Sequence, residues 1–223
     1  MSTAHTIAVS IHGRYLTATP SVGKPAGLLV GCHGYGENAD IQLERLRSIP
    51  GAERWLLVSI QGLHRFYRSR SEDVVASWMT RQDRELAIAD NVTYVTAVVD
   101  AASRDAGAGS SLVFAGFSQG VAMAFRAACW LPWPVAGILA VGGDVPPELT
   151  REALARLPVA MLARGERDEW YTDAKWTADQ TRLREAGVDV RAIGFEGGHE
   201  WHDEVNREAG ALLQRLTGSN STH

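Results

Sequence analysis

Only two cysteines, Cys32 and Cys129, occur in 223 residues. Cys32 sits in an apolar run and Cys129 in an alanine-rich one, so both read as small buried apolar residues. Neither belongs to a disulfide framework or a spaced zinc motif, and a reducing compartment is compatible. Long apolar runs are missing too. None approaches the ~18 residues that a membrane span requires, so no membrane span is expected. Met1 to Ser10 lacks a basic segment followed by an apolar core. No secretory signal is therefore expected, and the cytoplasm is the default location. A basic excess is absent as well: 22 Lys and Arg against 26 Asp and Glu leave a net charge of −4. Nucleic-acid binding draws most of its affinity from neutralised phosphates, so that class of partner is not expected. The densest basic stretch, His64 to Arg70 with Arg65, Arg68 and Arg70, runs straight into Glu72 and Asp73. It reads as a solvated loop, or at most a local anion contact.

What is present is the material of one large core. With 45% hydrophobic and 22% charged residues, the composition is that of a globular domain. No repeat, low-complexity segment or linker divides the chain, so residues 1–216 are expected to form one domain and 217–223 a small polar, frayed tail. Thr6 to Thr19 suggests an opening hairpin turning near His12-Gly13. Short continuous apolar runs follow at Gly27–His33, Trp55–Ile60, Ser111–Ala115, Val135–Val141 and Val159–Ala163, and Val188–Phe195 alternates partially. Runs of this length, apolar on both faces, suit the inner strands of a parallel sheet. Between them lie helical patterns. Ile88, Val92, Val95 and Val99 make one stripe of Glu85–Ala102, with Gly107 as a stop. Gln119–Leu131 reads as a buried helix, Thr172–Ala186 as one ended by Gly187, and Glu204–Leu216 as one carrying Val205, Ala209, Leu212 and Leu216 on one face. Strands alternating with such helices imply an α/β architecture: a mostly parallel central sheet with helices on both faces.

Gly116-Phe117-Ser118-Gln119-Gly120 is a G-x-S-x-G pattern between a strand and a helix. It marks a nucleophile elbow, a strained turn that lifts the serine hydroxyl to the end of the sheet. Side chains two residues to either side would collide with neighbouring backbone, which calls for glycine at both. The turn also sets Ser118 at a helix N-terminus, where the dipole favours developing negative charge.

On such an elbow the chain order is Ser, then Asp or Glu, then His. Ala163 to Asp168 leaves one strand, and Gly197-Gly198-His199 leaves the next. Both lie past carboxyl ends of strands, where open parallel sheets place their sites. Asp168 is the expected acid, with Glu166 and Asp144 as rivals. His199, aimed by its glycine pair, is the expected base, with His202 as rival. His199-Glu200-Trp201-His202 spaces its histidines wrongly for a zincin, and no further ligand cluster appears, so no metal is expected. Acyl transfer also needs two backbone N–H groups directed at an oxyanion. Gln119 is the expected first donor, and Tyr35, in the loop His33-Gly34-Tyr35-Gly36, the second. His33 is expected to hold that loop by hydrogen bonds. Cys32 precedes it immediately, and on a strand their side chains point to opposite faces, which argues against a Cys-His pair.

Taken together, His33 to Gly36, Ser77-Trp78, Gly116 to Gly120, Gly165 to Asp168 and Gly198-His199 resemble the phospholipase/carboxylesterase family of α/β-hydrolases, which includes small bacterial carboxylesterases and acyl-protein thioesterases. The resemblance implies a single-domain α/β-hydrolase fold, a Ser118–Asp168–His199 triad, an oxyanion hole from Tyr35 and Gln119, no cofactor, and hydrolysis of esters or thioesters. The sequence departs from the family at Glu37-Asn38, where an Asp is common, at the basic Arg65–Asp73 segment, and at Met79-Thr80-Arg81. Phe66, Tyr67, Trp78, Trp170 and Trp201 fall in candidate loops, where they line an acyl pocket or pack the core. Together they favour a short acyl or aromatic ester over a charged substrate, and no large insertion supplies a cap over the site; the expected substrate is a small-molecule ester of short to medium acyl chain. Other readings on the same triad are lysophospholipase, lactonase and peptidase; a non-catalytic ligand-binding protein is a reading of another class. A homodimer through apolar loops near the site is compatible with the sequence.

Overall fold

The apolar runs form strands, and alternation sends their side chains to two opposite layers. The computed structural model describes residues 2–21, 23–69, 71–106 and 111–218. Its strands are β1 (Arg14–Ala18), β2 (Gly27–Cys32), β3 (Leu56–Gln61), β4 (His64–Tyr67), β5 (Val74–Ser77), β6 (Ser111–Phe117), β7 (Gly137–Val141), β8 (Val159–Gly165) and β9 (Asp189–Phe195). Seven of them make one sheet in the order β1-β3-β2-β6-β7-β8-β9. Within it β1 runs antiparallel to β3, and the other pairings are parallel. The helices are α1 (Ala39–Arg47), α2 (Arg84–Ala106), α3 (Gln119–Trp130), α4 (Arg151–Leu154), α5 (Asp173–Glu185) and α6 (Asp203–Gly218).

Leu28, Val30 and Cys32 of β2 pack into one core layer with residues of α2, α3, α4 and α5. Leu29 between them joins the other layer, formed with α1 and α6. A sheet covered on both faces explains why its strands are apolar throughout rather than alternating. In α6 the buried residues Val205, Ala209, Leu212 and Leu213 lie on one stripe. Each of these two leucines contributes roughly 1.5–3 kcal/mol on burial, so packing rather than intrinsic propensity holds this helix. Helix α5 ends as expected at Gly187, with φ +86°. The Gly187 N–H donates to Arg184 O and the Val188 N–H to Leu183 O, which satisfies two carbonyls of the last turn.

Several elements differ from the sequence-based expectation. The hairpin over Thr6 to Thr19 does not form: only Arg14–Ala18 is a strand, and it pairs with β3. At Gly13 the chain passes directly against the Tyr94 ring, and the Tyr94 hydroxyl donates to Arg14 O, so this stretch is held by α2 rather than by its own return strand. The basic stretch expected to be a loop contains β4, paired antiparallel with β5. All four residues of β4 are exposed, which leaves the strand without an apolar signal. Arg70 lies outside the described residues, as does the expected stop at Gly107. Helix α6 takes in Thr217 and Gly218, which the sequence reading places in the tail; residues 219–223 lie outside the described residues. Helix α1 has no counterpart among the expected elements. It begins where the Asn38 side chain accepts the Ile41 N–H. Among the described residues no helix is long and apolar enough to cross a membrane, and no group of three or more His, Cys, Asp and Glu gathers as metal ligands would.

Candidate active site

The carboxyl ends of β2, β6, β7, β8 and β9 open on the same edge of the sheet, where Ser118, Asp168 and His199 meet. Ser118 follows β6 with φ +51° and ψ −119°, a conformation that L residues rarely adopt. It is locked there by its own N–H, which donates to Val141 O at 2.9 Å, and by the Val121 N–H, which donates to Ser118 O at 3.0 Å. The flanking glycines answer to contact. A Cβ on Gly120 would stand 2.1 Å from Cys32 O, and one on Gly116 would stand 2.6 Å from Gly120 O.

Asp168 lies on the turn after β8 and its side chain is buried. Its Oδ1 accepts the Trp170 and Tyr171 N–H groups, each at 2.9 Å. Its Oδ2 stands 2.8 Å from His199 Nδ1, and His199 Nε2 stands 2.8 Å from Ser118 Oγ. A carboxylate only accepts, so Nδ1 carries the proton and Nε2 is left to accept from the serine hydroxyl. The rivals go elsewhere. Asp144 pairs with Lys175 at 3.1 Å, and Glu166 is exposed. His202 stacks on Phe195, and its Nδ1 accepts the Glu204 N–H.

The loop after β2 is held from several sides. His33 is fully buried; its Nε2 accepts the Gly62 N–H at 3.0 Å, so Nδ1 carries the proton and donates to Gly34 O at 2.7 Å. Burial pushes the pKa of this imidazole below its ordinary value and keeps it neutral. The Gly34 N–H donates to Glu37 Oε2, the Gly36 N–H to Ala76 O, and the Glu37 N–H to Gly34 O. Tyr35 stands between these engaged donors, with its side chain exposed against Phe66 at 5.7 Å. The Gln119 side chain turns away from Ser118. Its Oε1 accepts the Trp78 N–H and the Ser77 hydroxyl, and its Nε2 donates to Met79 O.

The aromatic residues expected around an acyl pocket do not gather into one. Trp78 is a correction: it is fully buried and its Nε1 donates to His33 O at 2.8 Å, so it braces the loop from behind instead of lining a pocket. Trp170 is 74% exposed, on the Asp168 turn. Phe66 projects from β4 against Tyr35, and Tyr67 beside it is exposed. Trp201 donates through Nε1 to Asn206. With Phe117, His199, Glu37 and Arg45 it borders an open depression of about 510 Å³. Sequence reasoning misses Glu37 and Arg45 as site residues, although the Glu in place of an Asp flags the position. Their ion pair lies directly beneath the His33–Gly36 loop.

Residues 17–170 match the family described as phospholipase/carboxylesterase. No curated protein matches the chain. Among solved structures, the chain is similar to acyl-protein thioesterase 2 of Zea mays, with a TM-score of 0.75 at 19% identity over 93% of this chain and 100% of that one. A carboxylesterase from Mesorhizobium loti gives 0.73 at 21% identity, over 91% and 94%. Esterase PE8 gives 0.72 at 22% identity, over 92% and 100%. At these identities the likeness is one of fold: a mostly parallel α/β-hydrolase sheet in a single domain.

Proposed function

The chain belongs to the phospholipase/carboxylesterase family, a family of carboxylic ester hydrolases, and from that premise we propose that it cleaves small carboxylic esters or thioesters of short to medium acyl chain through an acyl-enzyme on Ser118. The observation that carries the reading is the unbroken chain Ser118 Oγ, His199 Nε2, His199 Nδ1, Asp168 Oδ2, with 2.8 Å at each end of the imidazole. In the proposed cycle Ser118 Oγ attacks the carbonyl carbon while its proton passes to His199 Nε2. Asp168 holds the tautomer and stabilises the imidazolium. The Nε2 proton then goes to the departing alkoxide or thiolate. Water gives a proton to Nε2 as its oxygen attacks the acyl carbon, and the released Ser118 oxygen takes that proton back.

The oxyanion is assigned to the Gln119 and Tyr35 N–H groups. Two facts favour them. Gln119 opens α3 with its side chain anchored elsewhere, which leaves its N–H at the positive end of the helix. Tyr35 lies between N–H groups that Glu37 and Ala76 already engage. Phe66, Trp170 and Trp201 are assigned to contacts with substrate around an open site.

Hydrolysis of a p-nitrophenyl series from acetate to laurate by the wild type and by Ser118→Ala tests this. Turnover of a short chain by the wild type, with Ser118→Ala at background, is the expected result. Equal activity in both proteins would show that Ser118 is not the nucleophile.

A further inference from the structure

Beneath the His33–Gly36 loop, the Glu37 carboxylate and the Arg45 guanidinium meet as a two-pronged pair. Arg45 Nη1 donates to Glu37 Oε2 at 2.6 Å and Nη2 to Oε1 at 2.7 Å. Both side chains are mostly covered, at 17% and 16% exposure. The pair reaches in three directions. Glu37 Oε2 also accepts the Gly34 N–H at 2.8 Å. The guanidinium lies 4.2 Å from the ring centroid of Phe117, the residue before Ser118, and 5.8 Å from that of Trp201. The Phe117 ring in turn stands 5.1 Å from the His199 ring. One ion pair thus touches the loop that carries Tyr35, the elbow that carries Ser118, and the segment that follows His199.

We propose that Glu37 and Arg45 are positioning residues for the acyl-transfer step: they freeze the Gly34–Gly36 turn so that the Tyr35 N–H faces the oxyanion, and they brace Phe117 against the His199 ring. The inference rests on the reading of Ser118 as nucleophile. A turn with glycine on both sides of Tyr35 has little stiffness of its own. Oxyanion donors act by being in place before charge develops, so the stiffness must come from outside the turn. A bidentate carboxylate–guanidinium pair is directional as well as attractive, which a single neutral hydrogen bond is not.

The energetics of such a pair give the proposal its test. Desolvating two charges offsets much of their attraction, so replacing both partners by neutral groups of similar size is often close to neutral for stability, whereas removing one strands a covered charge. The double variant Glu37→Gln/Arg45→Met is therefore expected to melt near the wild type. It is expected to lose about 10–100-fold in kcat with KM within about threefold, because a donor displaced from its productive geometry lowers the transition state's stabilisation more than the substrate's binding. Its rate of labelling by a fluorophosphonate falls in parallel.

A folded double variant with kcat within about twofold of the wild type, or one altered only in KM, overturns the proposal. Arg45→Lys serves if the double variant does not fold: it keeps the charge and loses the fork, and is expected to lose about 3–10-fold in kcat. Wild-type kcat there would likewise overturn the proposal. Ser118→Ala assayed alongside separates the two layers of the argument. Activity surviving in it removes the acyl-transfer reading and this inference with it. An inactive Ser118→Ala beside a fully active double variant removes the inference alone.

Discussion

Replacing Asp168 by Asn tests the site through an asymmetry in its hydrogen bonds. Asp168 Oδ1 is tied to two backbone donors, the Trp170 and Tyr171 N–H groups, while Oδ2 faces His199 Nδ1. An Asn has one oxygen. The two N–H groups, one buried and one partly buried, claim it, since an amide nitrogen turned to them would leave both unsatisfied at roughly 1–3 kcal/mol each. The Asn NH2 group then faces His199 and donates to Nδ1. The imidazole proton moves to Nε2, which can no longer accept from Ser118. The expected loss in kcat is ~10³–10⁴-fold, or about 4–5.5 kcal/mol of transition-state stabilisation, with the fold intact. Asp168→Ala leaves the tautomer free but strands both N–H groups, so a comparable kcat loss should come with a drop in stability of ~2–6 kcal/mol. Steady-state kinetics on p-nitrophenyl butyrate with urea denaturation of both variants separates the effects. Retention of more than about a tenth of wild-type kcat by Asp168→Asn, or a lower unfolding free energy than that of Asp168→Ala, would refute the reasoning.

Ser118→Gly removes the side chain from a left-handed backbone position. Activity should vanish while thermal stability holds or rises by about 1 kcal/mol, and a lower melting point than that of Ser118→Ala would contradict the strain argument. Gly120→Ala places a Cβ 2.1 Å from Cys32 O, which backbone alone can relieve. We expect a loss of more than about 3 kcal/mol or failure to fold, and an active, stable variant would show that the elbow can shift. On acidification, unfolded His33 takes a proton near the ordinary histidine value of 6.5 while the native ring, its pKa lowered by burial, resists it. Stability should therefore be fully present above about 6.5 and decline as the pH falls below it; His33→Gln, if folded, should flatten that decline in urea titrations. Glu37 adds a second decline at lower pH. Burial alone would raise its pKa, but the hydrogen bonds and charge of Arg45 outweigh this and hold it below 4.5, so its contribution is fully present above about 4.5, declines as the pH falls below that, and is gone once the pH passes the lowered native value.

Much of this architecture is legible in the sequence because parallel strands covered on both faces must be apolar throughout. Val30, Val58, Phe114, Leu139 and Met161 sit in runs that nothing else in a chain of this composition explains. The elbow is equally legible, since its glycines answer to a steric demand that leaves few substitutes. Where the signal fails, the element is held by contacts remote in sequence. Helix α1 buries Ala39, Leu43 and Leu46 but also the polar Gln42, so its apolar stripe is thin; Asn38 at its cap and Asp40 in the first turn are the available clues. Strand β4 is fully exposed and exists through its pairing with β5. Trp78 can be read from sequence as pocket or core, and only the tertiary structure shows that its indole N–H is committed to His33 O. The Arg45–Glu37 pair spans eight residues of turn and helix, and nothing local requires it.

The residues assigned to chemistry and those assigned to selectivity differ in how tightly they are held. Asp168 makes three hydrogen bonds while its side chain is buried. His33 uses both ring nitrogens, and Gln119 spends its whole side-chain amide on the segment from Ser77 to Met79. Each is over-determined by its partners, so the constellation persists without substrate, as a preorganised electrostatic site requires. Phe66 and Trp170, by contrast, stand exposed, one on the outlying hairpin and one on the Asp168 turn. Changing one of these removes contact area that no buried polar group depends on, so the fold tolerates it. The proposed assignment therefore places acyl preference at the rim, where it can change while the Ser118–His199–Asp168 geometry stays fixed. The bracing by Glu37 and Arg45 lies on the inner side of that division, because it acts on the Gly34 N–H and on Phe117 and, of the aromatics assigned to substrate contact, reaches the half-buried Trp201 and neither Phe66 nor Trp170.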